Sequence, residues 1–316
     1  MKNYLGIDLG GTNIAVGVID EDCRFVAKHS VPTQGRRSFG AIVADMAQGA
    51  RKALSMAGLR EQDVTYVGIG APSTIDPQNG HVVFANNLGW KDADIIGEFR
   101  KNWDIPVKVA NDADCAALGE ACGGAAKEFD NVLMLTLGTG VGGSFIINKK
   151  IYLGGNGYGC EPGHITLVYN GVRCTCGRKG CLEAYASVTA LIRQTIEMMA
   201  AYPTSRMYEM CGNDIRRVDG RTAFEASKQG DEAALQVVEN YVSYLAAGIS
   251  SLVTTFRPGV VILGGGVSNQ GDYLIDPVRQ LVHETCYASD LIEPPEILRA
   301  SLGNDAGIIG AALLGK

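Results

Sequence analysis

No apolar run among the 316 residues approaches the ~18 needed to span a bilayer, which excludes a membrane-crossing helix. Basic residues are not in excess either: 28 Lys+Arg stand against 34 Asp+Glu, a formal net charge of −6. That balance argues against nucleic acid as a partner, because a phosphate backbone is held by clustered cations. It leaves small phosphorylated ligands open, since a few local groups can hold them. The opening Met1-Lys2-Asn3-Tyr4-Leu5-Gly6-Ile7-Asp8 places a carboxylate before any signal-peptide core can form. The nine cysteines, an odd number without a secretion signal, read as reduced thiols of a cytoplasmic protein. The phosphate-binding pattern G-x-x-x-x-G-K-[ST] is missing as well.

With 46% hydrophobic and 20% charged residues, the chain has the make-up of an ordinary globular protein. It is longer than the roughly 250–300 residues at which a single core stops growing, so two linked cores are expected. Glycine is the one abundant oddity, 41 residues, about twice the usual share. These glycines sit in short bursts at the ends of apolar runs, where backbone turns sharply or approaches a ligand.

Tyr4–Asp8 and Ile14–Ile19 read as strands joined by Leu9-Gly10-Gly11-Thr12-Asn13. Val132–Leu137 and Ser144–Ile147 read as strands joined through Gly138-Thr139-Gly140-Val141-Gly142-Gly143. The same unit thus occurs twice, a duplication of structure without a visible sequence repeat. Between them the pattern predicts a strand at Phe25–Val31, a helix at Phe39–Ala57, a strand at Val64–Ile69 and a helix at Ala93–Asn102. A strand at Val107–Ala110 and a helix from Asp114 to Cys122 follow. Farther on, Ala234, Val238, Tyr241, Leu245, Ile249 and Leu252 form one apolar stripe on a helix near Asp231–Phe256. The strand Val260–Leu263 runs into Gly264-Gly265-Gly266, and an alanine- and glycine-rich helix, Ala306–Leu314, closes the chain. The expected organisation is an α/β domain over 1–115 and a larger one over 116–316, with the last helix returning to the first.

The sharpest chemical signal is His164, Cys174, Cys176 and Cys181, spaced H-x9-C-x-C-x4-C with Gly177 and Gly180 inside the last loop. Zinc takes four nitrogen or sulfur ligands in a tetrahedron, and short spacings let one loop supply several. With all four positions filled by protein the site is structural, and Arg173, Arg178 and Lys179 nearby favour thiolates. The alternative is three reduced cysteines packed as small apolar groups.

Each of the two glycine turns, taken singly, reads as a plain hairpin. Two of them, with the third at Gly264–Gly266, favour amide nests that hold phosphates. Asp112, after a short strand, is the candidate base for phosphoryl transfer, with Asp114 the better candidate for a helix cap. Glu161 and Glu183 flank the cysteine loop and, with Asn87 and Asn111, make a polyol-binding set. Asp8, ahead of the first turn, suits Mg²⁺ held through water or a backbone bond at a strand end.

The series Asp8-Leu9-Gly10-Gly11-Thr12-Asn13, Asn111-Asp112, Leu137-Gly138-Thr139-Gly140-Val141-Gly142-Gly143, Glu161-x-Gly163-His164 and Cys174-x-Cys176-Gly177-x-x-Gly180-Cys181-Leu182-Glu183 resembles the ROK family of sugar kinases and sugar-responsive repressors. The resemblance runs in order from Asp8 to Gly307–Ala312. It implies an actin-like ATPase fold, two ribonuclease-H-like domains with ATP and sugar in a central cleft. It further implies that Asp112 deprotonates the 6-hydroxyl of a hexose for attack on the γ-phosphate. Asn87, Asn111, Glu161, His164 and Glu183 would hold that hexose, His164 using one ring nitrogen for zinc and the other for sugar. Gly10, Gly11, Thr12 and Asn13, with Gly138, Thr139 and Gly140, would contact phosphates, and Gly264, Gly265 and Gly266 would lie near the nucleoside.

Members are commonly homodimers or homotetramers. The repressor branch carries a helix-turn-helix ahead of the first turn, and a turn that begins at Asp8 leaves no room for one. Cys176–Ser187 and Asn87-Leu88-Gly89-Trp90 are similar to the family's glucokinases, and the aromatic-His-Gly loop of its fructokinases is absent. Glucose is therefore the expected substrate. The alternatives are N-acetylmannosamine, allose, mannose or fructose, or a sugar-sensing regulator without catalysis. Three positions depart from the family pattern: Ser73 and Cys160 where glycine is common, and Asp114 where asparagine is.

Overall fold

A computed structural model describes residues 2–76, 79–85 and 88–316. The chain opens with β1 (Tyr4–Leu9), β2 (Asn13–Ile19) and β3 (Phe25–Pro32), an antiparallel meander in which Leu5, Ile7, Leu9, Ile14, Val16 and Val18 are fully buried. Helix α1 (Phe39–Met56) buries Ile42, Val43, Met46, Ala47, Ala50, Ala53 and Leu54, the stripe that three- and four-residue spacing predicts.

Next come β4 (Val67–Ala71), the short β5 (Thr74–Ile75), β6 (Val82–Ala85) and β7 (Trp90–Ala93), α2 (Ile95–Asn102), β8 (Val107–Asn111) and α3 (Asp112–Gly123). β4 is parallel to β1 and β8 parallel to β4, giving a first sheet ordered β3-β2-β1-β4-β8. β5, β6 and β7 form a small separate antiparallel sheet that the sequence pattern does not reveal.

The glycine-turn unit then recurs as β9 (Val132–Leu137) and β10 (Val141–Ile147), followed by β11 (Lys150–Ile151). Helices α4 (Glu183–Ala186), α5 (Val188–Ala201), α6 (Met207–Met210), α7 (Thr222–Lys228) and α8 (Glu232–Phe256) precede β12 (Val260–Gly264), α9 (Asp272–Thr285), β13 (Glu296–Arg299) and α10 (Asp305–Leu313). The second sheet is ordered β11-β10-β9-β12-β13, the same permutation as the first. Two sheets of one strand order in a chain without a sequence repeat are the structural duplication expected. Asp231 caps α8 by accepting from the Ala234 amide at 2.7 Å, and every member of its predicted apolar stripe is buried.

Internal contacts divide the chain into two compact units, 1–132 with 144–160 and 301–316, and 133–143 with 161–300. The expected boundary at 115/116 falls inside α3, which lies wholly within the first unit. In that unit α10 packs on α3 almost backbone to backbone: a Cβ at Gly310 would lie 1.7 Å from the Cys115 carbonyl oxygen. No helix among the described residues is long and apolar enough to cross a membrane.

Candidate active site

In the first unit, β1 carries Asp8 to its C-terminal end, in register with Ala15 of β2 and Gly70 of β4. β8 delivers Asn111, whose side-chain oxygen accepts from the amides of Ala113 at 2.8 Å and Asp114 at 3.4 Å. Asn111 Nδ2 donates to the Ser73 carbonyl at 3.0 Å. Asn111, not Asp114, therefore caps α3, and the helix begins two residues earlier than expected. Asp114 then falls on the third helical position, where it is buried and accepts from the Ser144 hydroxyl at 2.5 Å.

The cap fixes Asp112 at the first helical position, its Oδ1 2.9 Å from the Ala113 amide nitrogen. Burial raises the Asp112 carboxyl above its ordinary range, while that amide and its own pull it back. Asp8 is pushed up to about 6, first by burial and then by the charge of Asp112. Buried carboxyl groups displaced upward in this way are of the kind that cluster at functional sites.

The first turn follows Asp8 directly. The Gly10 amide donates back to the Asn13 carbonyl at 2.9 Å, and Gly11, Thr12 and Asn13 are exposed. Behind the turn stands Thr33, fully buried, a residue that no sequence motif marked. Its hydroxyl donates to the Gly10 carbonyl at 2.7 Å and its amide to the Thr12 carbonyl at 2.8 Å. Asn87, the remaining sugar candidate of this part of the chain, lies outside the described residues.

In the second unit, the Gly138 amide donates to the Gly140 carbonyl at 3.0 Å. The start of α5 holds this turn: the Val188 amide donates to the Gly138 carbonyl at 2.8 Å and the Thr189 hydroxyl to the Thr139 carbonyl at 2.7 Å. Glu183 adds a third support, its Oε2 accepting from the Val141 amide at 3.1 Å. Its Oε1 accepts from the Thr175 hydroxyl at 2.8 Å and the Cys174 thiol at 3.2 Å. Glu183 is thus tied to both the turn and the cysteine loop, a role its position beside Cys181 did not disclose. In the third turn, Gly265 has a φ of 84° and packs on the second turn's base, where a Cβ would lie 2.4 Å from the Leu137 carbonyl oxygen.

The four metal candidates converge. All four ligand atoms of His164, Cys174, Cys176 and Cys181 lie within 4.8 Å of one another. Sulfurs on a zinc tetrahedron stand ~3.8 Å apart. The Cys176 and Cys181 sulfurs are 3.7 Å apart, and His164 Nδ1 is 3.7 Å from Cys174 Sγ. One imidazole and three thiols at that separation fit zinc. The loop is held by its own backbone, with the Cys174 amide on the Arg178 carbonyl at 2.8 Å and the Gly177 amide on the Cys174 carbonyl at 3.0 Å.

The expectation that nearby basic residues favour thiolates holds at Cys176, lowered by the Arg178 amide first and also by its charge. Burial outweighs that charge at Cys181, and burial with the Glu183 hydrogen bond pushes Cys174 up to about 12. Glu161 precedes the short turn Pro162–His164 and is exposed.

The ROK family model matches residues 4–316. A glucokinase from Halalkalibacterium halodurans is 36% identical over 318 residues, covering 99% of this chain and 94% of that protein. The crystal structure of a ROK family glucokinase from Streptomyces griseus in complex with glucose and AMPPNP is similar over 99% of this chain and 98% of that one, at 34% identity and a TM-score of 0.81. A ROK hexokinase from Thermus thermophilus, also 34% identical, covers 99% of this chain and 97% of its own with a TM-score of 0.82.

Proposed function

The chain belongs to the ROK family, and from that premise we propose that it is a glucokinase, transferring the γ-phosphoryl group of ATP to the 6-hydroxyl of glucose. Its paired sheets are those of the actin-like ATPase fold. The observation that carries the catalytic assignment is Asp112, fixed by the Asn111 cap at the first position of α3 and displaced upward by burial. An ionised Asp112 accepts the hydroxyl proton as the sugar oxygen bonds to the γ-phosphorus and the bond to ADP breaks. The helix N-terminus and the Ala113 amide favour the ionised carboxylate that this step needs, against the upward push of burial.

The turns Gly10–Asn13 and Gly138–Gly140 hold the phosphates, the amides of Gly10 and Gly138 being spent inside the turns, and Gly264–Gly266 lie at the nucleoside. Asn87, Asn111, Asp112, Glu161 and His164 bind the hexose, and Glu183 joins them by exchanging one of its partners. Asp8 is the holder of Mg²⁺, which when bound neutralises charge on the phosphates. His164, Cys174, Cys176 and Cys181 hold a structural zinc whose binding energy stabilises their loop. A cytoplasmic location and a homodimeric or homotetrameric assembly complete the reading.

The test is an ADP-release assay with ATP·Mg²⁺ against glucose, fructose, mannose, allose, N-acetylglucosamine and N-acetylmannosamine. The proposal expects glucose to show the highest kcat/KM. A higher value for another sugar overturns the substrate, and silence across the panel in folded, zinc-loaded protein overturns the reaction.

A further inference from the structure

Across a trans peptide the C=O and the following N–H point in opposite directions. A group that holds a carbonyl therefore also aims the next amide. Thr33 holds two carbonyls of the first turn, Gly10 through its hydroxyl at 2.7 Å and Thr12 through its amide at 2.8 Å. The amides that follow are those of Gly11 and Asn13, both on exposed residues. The Gly10 amide is already spent on the Asn13 carbonyl.

We propose that Thr33 is a positioning residue for phosphoryl transfer, setting the Gly11 and Asn13 amides toward the phosphates of ATP from behind the turn. Its placement follows from the β2–β3 register, in which Asn13 stands opposite Pro32 and so brings the next residue of that strand's chain beneath the turn. Thr33 is itself braced: its carbonyl accepts from the Arg37 guanidinium at 3.0 Å, and Arg37 pairs with Asp45 of α1. A fully buried hydroxyl spent on one carbonyl is costly to lose, because the partner carbonyl is then left unpaired. The inference rests on the reading of the first turn as a phosphate holder.

The experiment is steady-state kinetics of the full chain with ATP and glucose varied in turn. Thr33→Val keeps the amide and the shape but removes the hydroxyl. It is expected to raise KM for ATP about tenfold while KM for glucose stays within about twofold, and Thr33→Ser should restore the ATP value. The same variant should weaken AMPPNP binding and leave adenosine binding unchanged, a split that general loosening of the fold does not produce. Gly11→Ala tests the underlying reading, because its added Cβ meets no atom within 4 Å and should not disturb folding.

If Gly11→Ala raises KM for ATP and Thr33→Val does not, the role of Thr33 is overturned and the phosphate turn stands. If neither changes it, the phosphate turn itself falls, and the inference with it. Should Thr33→Val not fold, Asp45→Asn loosens Arg37 without touching the turn and should give the same split at about two- to threefold. Equal rises in both KM values in that variant overturn the inference.

Discussion

In the first glycine turn, two carbonyls are held by a single residue, Thr33, the residue just past the neighbouring strand β3. In the second turn, the carbonyls of Gly138 and Thr139 are held by two successive residues at the start of α5, and Glu183 holds the amide of Val141 besides. The supports lead to different places. Behind the first turn they run through Arg37 to Asp45 on α1. Behind the second they run through Glu183 to Thr175, inside the cysteine loop. The acids differ too: Asp8 stands two residues before Gly10, whereas Thr136 occupies that place before Gly138. Similar tips thus sit on unlike foundations, and the second turn is the one coupled to the cysteine loop.

The largest effect expected lies on neither turn. Asp112→Asn should lower kcat by about 10²–10⁴-fold, the usual worth of a general base, with the KM for ATP little changed because both turns remain supported. In the unmodified protein the acid limb of kcat/KM should lie above the 3.8 of an ordinary aspartate, since burial raises Asp112. A near-normal kcat in Asp112→Asn removes the base assignment.

Next in size is metal removal. Chelation, or Cys176→Ala, should lower Tm by roughly 10 °C or more, because metal binding energy at such a site is folding energy. The same treatment should raise KM for ATP through the second turn, while Thr33→Val adds its effect independently through the first. Non-additive effects of the two would erase the distinction between the foundations. Elemental analysis that finds no zinc in active, folded protein would remove the metal from the account.

Asp8→Asn distinguishes the first turn from the second by its acid. A carboxyl whose native value is about 6 against 3.8 stabilises the fold relative to its ionised form only at low pH, and that contribution is lost as pH rises through 6. The variant should therefore match the parent near pH 4 and exceed it above pH 6, by up to about 3 kcal/mol. It should at the same time lose Mg²⁺-dependent activity. Equal stability at both pH values would mean that Asp8 is not strained by burial.

A smaller effect than these three belongs to Glu183→Gln, which keeps the shape of the brace and removes its charge. We expect KM for ATP to rise about fivefold, the loss of one charge-assisted hydrogen bond in part replaced by the amide oxygen. A KM for ATP that stays unchanged while KM for glucose rises would leave Glu183 a sugar ligand only and remove it from the support of the second turn.

How far the sequence speaks is seen in particular residues. The paired strand-turn-strand units were legible because apolar runs of strand length flank glycines that only a turn explains. The convergence of His164, Cys174, Cys176 and Cys181 was legible because the four fall within one short stretch. The start of α3 was misread by two residues, since Asn111 and Asp114 are both good caps and only the backbone decides between them. The sheet of β5, β6 and β7 left no trace because strands as short as Thr74–Ile75 carry no period. Thr33 could not be found by any local rule, its function residing in the pairing of β2 with β3. The returns of 144–160 and 301–316 to the first unit are likewise set by tertiary packing, in which α10 finds α3.

The most direct test of the central claim is ³¹P NMR of a reaction containing glucose, ATP and Mg²⁺, with the parent protein and Asp112→Asn run side by side. The account predicts glucose 6-phosphate formed one for one with ADP by the parent, and by the variant only at a rate lower by orders of magnitude. ADP without a sugar phosphate, a phosphate on another hydroxyl, or equal rates from the two proteins would contradict it.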